Sequence, residues 1–184
     1  MVVSQRMDNA TYERNAVDFR YLRTELHDGV PVEKPVMSRI HGDLGLEVAF
    51  VVRTQIDPAR FRLRANHAKL AIPGRSYFIP DVAVLPAAVA LADPTEADLY
   101  HDPVPLVVEI WSPSTGGYDA SVKLPGYRLR GDAEIWWLYP PDRTLTRWVR
   151  RPDGGYDEEV LHGGVVEAAA LPGVRIDLDR LFQV

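Results

Sequence analysis

Leu106-Val-Val-Glu-Ile-Trp111 is the most hydrophobic stretch of the chain, and one charge, Glu109, interrupts it. Such a run suits a central strand buried on both faces, with sheet neighbours on either side. Alternation places Val107, Glu109 and Trp111 on one face and Val108 and Ile110 on the other. A carboxylate on a central strand is costly unless it is paired, neutralised or bound to a metal. The fold must therefore provide Glu109 with a counterpart.

The remaining elements follow from periodicity and turn chemistry. Thr24–His27 and Val30–Val32 read as short strands around Asp28-Gly29, a pair suited to a tight hairpin. Ser38 reads as an N-cap. After it, Ile40, Leu44, Val48 and Val51 recur at helical spacing, which predicts an amphipathic helix of about three turns. Leu70–Ile72 and Phe78–Leu85 read as extended, and Pro86 to Pro94 as a short helix or loop. Tyr118–Arg130 is helical, with Pro125 kinking it or shifting its start. Glu134–Tyr139 and Thr144–Val149 pair around Pro141-Asp142, and a further hairpin turns at Asp153-Gly154-Gly155. After Leu171-Pro-Gly-Val174 comes a last strand, then a terminal helix capped by Asp177. This pattern predicts an α+β fold in which helices flank a mixed, largely antiparallel sheet. Residues 1–23 read as an N-terminal arm or short helix, and 24–184 as a single domain.

Composition narrows the function classes. Hydrophobic residues at 46% rule out a disordered chain. The absence of cysteine excludes disulfides, thiolate chemistry and zinc sites with sulfur ligands. No stretch is long and apolar enough to span a bilayer, and Met1 to Arg23 lacks a signal-peptide core, so a cytoplasmic location is expected. A net charge of −5 weighs against a broad nucleic-acid-binding surface, though a local basic rim is compatible with it. Two basic groups stand out: Arg60, Arg62, Arg64 and Lys69, and then Lys123, Arg128 and Arg130.

Asp81, Glu109 and Lys123 form the strongest candidate site. Asp81 follows Pro80 at the mouth of an apolar strand. Two carboxylates on neighbouring strands repel, and a divalent cation between them removes that penalty. Mg²⁺ prefers hard oxygen ligands and keeps several waters, one of which can serve as a nucleophile. Lys123 would orient that water or balance charge on the phosphorane. The plainer alternative is that Glu109 pairs with an arginine and Asp81 is a turn residue. Ser112 and Ser114 lie outside any Gly-x-Ser-x-Gly elbow, so they read as loop and capping residues. His27, His67, His101 and His162 show no ligand spacing, and Trp136 and Trp137 read as core.

The run Pro80-Asp-Val-Ala-Val84, then Leu106-Val-Val-Glu-Ile-Trp-Ser-Pro-Ser-Thr115, Asp119, Lys123, Tyr127 and Ala133-Glu-Ile-Trp-Trp137, resembles the Uma-two family of restriction-endonuclease-like proteins. Leu171-Pro-Gly-Val174 and Leu181-Phe182 fit its ending, and Glu25-Leu-His-Asp-Gly29 its opening hairpin. The resemblance implies a PD-(D/E)XK core and metal-dependent cleavage of DNA. Asp81 and Glu109 match the metal-binding acids, with Mg²⁺ or Mn²⁺ as cofactor. The usual lysine position, two residues after the second acid, is Trp111 here; Lys123 matches a lysine moved to the following helix. Glu25, His41 and Asp119 are further candidates on the same ground. Rival readings are an inactive nucleic-acid-binding or regulatory module on this scaffold, and a metal-dependent hydrolase with another substrate. A homodimer would suit cleavage of both strands.

Overall fold

The computed structural model describes residues 6–90, 97–113 and 119–183. Helix α1 (Asn9–Asn15) is capped by Asp8, whose carboxylate accepts from Thr11 N. Its buried Tyr12 stacks on Tyr77 at 4.8 Å. Strands β1 (Thr24–His27) and β2 (Val30–Glu33) are joined by Asp28 and Gly29, both at positive φ (47° and 82°), as a two-residue hairpin turn requires. Ser38 caps α2 (Arg39–Gln55). At 17 residues this helix runs to about five turns. Val52 and Ile56, beyond the periodic set read from the sequence, bury its last turn in the core.

Strand β3 (Phe61–Ala65) is a finding that sequence reading missed. In the sequence Arg62 and Arg64 read only as members of a basic group, yet Phe61 and Leu63 alternate with them and pack on the core. It pairs with β6 (Val82–Pro86). The expected continuous strand Phe78–Leu85 is divided. β4 (Lys69–Ile72) pairs with β5 (Ser76–Phe78) in one sheet, whereas β6 belongs to another. Pro80 has no N–H to donate to a ladder, so pairing lapses there. The chain changes sheets across Ile79-Pro80-Asp81, and Asp81 stands at the seam.

After α3 (Ala87–Ala90) and β7 (Leu99–Tyr100) comes β8 (Leu106–Ile110), central and buried along its whole length. It pairs antiparallel with β6 and parallel with β9 (Glu134–Tyr139). Hairpins link β9 to β10 (Thr144–Arg150) and β10 to β11 (Tyr156–Leu161). A six-stranded sheet results, in the order β11-β10-β9-β8-β6-β3, beside a five-stranded sheet ordered β2-β1-β5-β4-β7. The ribbon of β12 (Val165–Glu167) and β13 (Arg175–Asp177) leads to α5 (Leu178–Leu181), capped by Asp177. Val108 and Ile110 face the core built with α2, and Val107 faces the one containing Tyr127. Trp136 and Trp137 are core residues. Among the described residues no helix is long and apolar enough to cross a membrane.

Between β8 and β9, a π-helical turn (Asp119–Lys123) runs into α4 (Leu124–Arg130), with Pro125 in its first turn. Gly126 lets this helix sit directly on the five-stranded sheet. A Cβ there would lie 2.7 Å from a Phe78 ring carbon and 3.2 Å from Ile72 Cγ2. Gly126→Ala is expected to destabilise the fold by about 1–3 kcal/mol through overpacking, despite alanine's better helix propensity. Urea unfolding measures this directly, and an unchanged midpoint would contradict the close packing.

Candidate active site

Continuing the β6–β8 register by one step from Val82↔Val108 sets Asp81 opposite Glu109. Both carboxylates are buried, with relative exposures of 1% and 2%. Asp81 Oδ2 accepts from Ile110 N at 2.8 Å, which ties the seam to the central strand. Asp81 Oδ1 receives Lys34 Nζ at 3.0 Å. Lys34 lies just past β2, and its ammonium also donates to Asn66 Oδ1 and Ile79 O at 2.9 Å each. His41, in the first turn of α2, brings Nε2 to 3.1 Å from Asp81 Oδ1. Among the described residues neither ring nitrogen of His41 has a hydrogen-bond partner of good geometry, although both are buried.

Glu109 is met from the other side. Its Oε1 accepts from Tyr127 OH at 2.6 Å and from Lys123 Nζ at 3.2 Å. Lys123 also lies 3.0 Å from Glu25 Oε1 on β1. Glu25 is held at three points: Lys123, Ile79 N at 2.7 Å, and His27 Nε2 at 2.8 Å on Oε2. A pocket opens on this cluster, with Glu25, His27, Lys34, His41, Asp81, Glu109, Ser112 and Lys123 in its wall. Val32, Pro35, Val36 and Met37 form an apolar side of it.

The electrostatics follow from burial set against compensation. Burial pushes the Glu25 carboxyl up, but Lys123, the His27 hydrogen bond, Lys34 and the Ile79 amide outweigh it and hold the group at about 2. Asp81 is likewise driven up by burial and drawn well below the usual carboxylate range by Lys34 and His41. The Tyr127 hydroxyl is raised well above its ordinary value by burial and the adjacent Glu109 charge, so it stays protonated and donates. Glu25 and Asp81 are thus buried anions beside the ammonium groups of Lys123 and Lys34.

Of the residues singled out in the sequence, Asp81, Glu109, Lys123, Glu25 and His41 come together here. Glu109 pairs with a lysine rather than the arginine of the plainer alternative. Asp119 begins the π-helical turn, and its side chain lies outside the described residues, as does Ser114. Ser112 is buried in the pocket wall. Lys34 and His27 were missed. Among the described residues, Lys123 alone of the two basic groups lines the pocket. Lys69 is buried and donates to Tyr21 O and Leu22 O, Arg64 pairs with Asp98, and Arg130 is buried against Asp132.

Comparison with known proteins identifies the family and the fold. The profile of the Uma2 family, described as "Putative restriction endonuclease", matches residues 10–179. The chain belongs to the Uma2 family. Similar in fold is the crystal structure of "a putative nuclease belonging to DUF820" from Anabaena variabilis. Its TM-score is 0.70 at 17% identity, covering 86% of this chain and 89% of that one. No curated protein matches the sequence. For this Uma2 chain the α+β architecture, with largely antiparallel sheets flanked by helices, is thereby shared with a solved relative in fold.

Proposed function

We propose that this Uma2 chain is a divalent-metal-dependent endonuclease that hydrolyses phosphodiester bonds in DNA. The observation that carries the reading is the meeting of Asp81, Glu109 and Lys123 at one pocket, from the sheet seam, the central strand and the turn before α4. The donor set suits a hard cation. Asp81 and Glu109 offer hard carboxylate oxygens from facing positions of neighbouring strands, in the wall of one pocket. Among the described residues no three acids or histidines form a ready-made cage. Mg²⁺ does not need one, since it binds through one or two carboxylates together with water and substrate phosphate. Mg²⁺ or Mn²⁺ is therefore the cofactor expected, held by Asp81 and Glu109.

A divalent ion held by Asp81 and Glu109 would supply Lewis acidity to the phosphoryl oxygens and would lower the pKa of a water bound to it. The chain's own groups do the rest. Lys123 stabilises negative charge that builds on the phosphate oxygens. Tyr127 fixes the orientation of Glu109, and Glu25, braced by His27, holds the Lys123 ammonium in place. Lys34 keeps Asp81 ionised and aimed at the pocket. His41, in the pocket wall 3.1 Å from Asp81, is placed to contact the substrate phosphate. Hydrolysis joins a water oxygen to phosphorus and breaks one P–O ester bond.

The competing reading is a module that binds without hydrolysing. It draws support from the net charge of −5 and from basic residues already engaged inside the fold. End-labelled duplex and single-stranded DNA, incubated with the protein in Mg²⁺ or Mn²⁺, separates the two. The nuclease reading expects cleavage that a chelator stops and that added metal restores. Binding of DNA with no cut strand under either metal would leave the module reading in place.

A further inference from the structure

Helix α2 is buried along one side through Leu44, Val48 and Val52, and bare along the other. The bare side carries Arg39, Asp43, Leu46, Phe50 and Arg53, spaced alternately by four and three residues. This is the seam spacing by which two helices pack along their length. Leu46 and Phe50 are 70% and 63% exposed, and they sit one turn apart at the middle of the stripe. Among the described residues no ion pair within the chain engages Asp43 or Arg53.

The order of these residues identifies the occupant. Leu46 and Phe50 lie equal distances on either side of Val48, and so do Asp43 and Arg53. A two-fold axis crossing α2 at the level of Val48 would set Leu46 against Phe50 of a second copy. The same axis would set Asp43 against Arg53 of that copy, at both ends of the contact. A two-fold interface needs one patch that complements itself. This stripe does so in both apolar and charge terms, which an arbitrary partner would have no reason to match.

We propose that the chain forms a two-fold homodimer through the outer face of α2, the helices antiparallel about Val48. The dimer does not depend on the nuclease reading. It does carry the two pockets on one body: the two His41 residues stand about 21 Å apart along the helix direction, seven residues from the axis at each end.

Sedimentation equilibrium on the full chain tests the pairing, with circular dichroism confirming folding of each variant. The wild type is expected at twice the 20.7 kDa chain mass. Arg53→Asp turns both ion pairs into like-charge contacts and should weaken dimerisation at least tenfold. Combining Asp43→Arg with Arg53→Asp reverses both pairs and should restore the dimer. A monomeric wild type would overturn the proposal and mean that another partner covers the face. So would a dimer indifferent to Arg53→Asp, which would place the contact elsewhere. Failure of the double variant to recover would overturn the antiparallel register.

Discussion

Glu109→Gln is expected to lower DNA cleavage about a thousandfold or more while leaving the protein folded. Glutamine keeps the length of the side chain and one acceptor oxygen for Tyr127 and Lys123, whose bonds of 2.6 and 3.2 Å hold Glu109 now. The change in unfolding free energy should stay within about 1–2 kcal/mol, the scale of one altered hydrogen-bonded charge. What disappears is an anionic oxygen donor for a hard cation. Metal ions contribute several kcal/mol of transition-state stabilisation, and about 4 kcal/mol corresponds to a thousandfold in rate. Single-turnover cleavage of labelled DNA by the two proteins measures the effect. Equal rates would remove Glu109 from the reaction.

Lys123→Met should cost about 3–5 kcal/mol of stability at neutral pH, because it strands two buried carboxylates beside a neutral side chain. Methionine retains most of the stem, so the loss reports charge rather than packing. The pH dependence gives the mechanism. In the wild type Glu25 is held at about 2, below its ordinary 4.5, with Lys123 the strongest of the influences lowering it. A depressed carboxyl stabilises the fold fully above its ordinary value and loses that contribution as pH falls through about 2. Without Lys123 the Glu25 carboxyl rises, and its contribution at neutral pH shrinks or changes sign. The gap between the proteins should therefore be widest at about pH 7 and narrower at about pH 4 in urea titrations. A gap independent of pH would mean that Lys123 is not the counter-ion of Glu25.

The acids were legible in the sequence for a physical reason. Glu109 interrupts an apolar strand and Asp81 opens another, so each had to be paired or used. The β1–β2 turn, the Ser38 and Asp177 caps and the β9–β10 hairpin were equally readable, because their signals lie within a few residues. Lys34 and His27 had no such signal. The partners of Lys34, Asp81 and Ile79, are brought near only when β2 and the sheet seam come together; His27 lies two residues from its partner Glu25 on β1, and only the pocket that both line depends on tertiary packing. The division of Phe78–Leu85 escaped for a related reason: an apolar run shows that strands are buried, not which sheet each joins. Strand β3 was hidden because its arginines face away from the core that Phe61 and Leu63 enter. The dimer stripe on α2 becomes visible only once the helix is known to extend to Gln55.

Calorimetric titration of Mn²⁺ into the wild type and into an Asp81→Ala, Glu109→Ala double variant, with folding verified by circular dichroism, tests the central claim most directly. Asp81 and Glu109 as the metal-holding pair predict a saturable binding heat in the wild type that is absent from the folded double variant. Equal binding by both proteins, or none by either, would contradict the site.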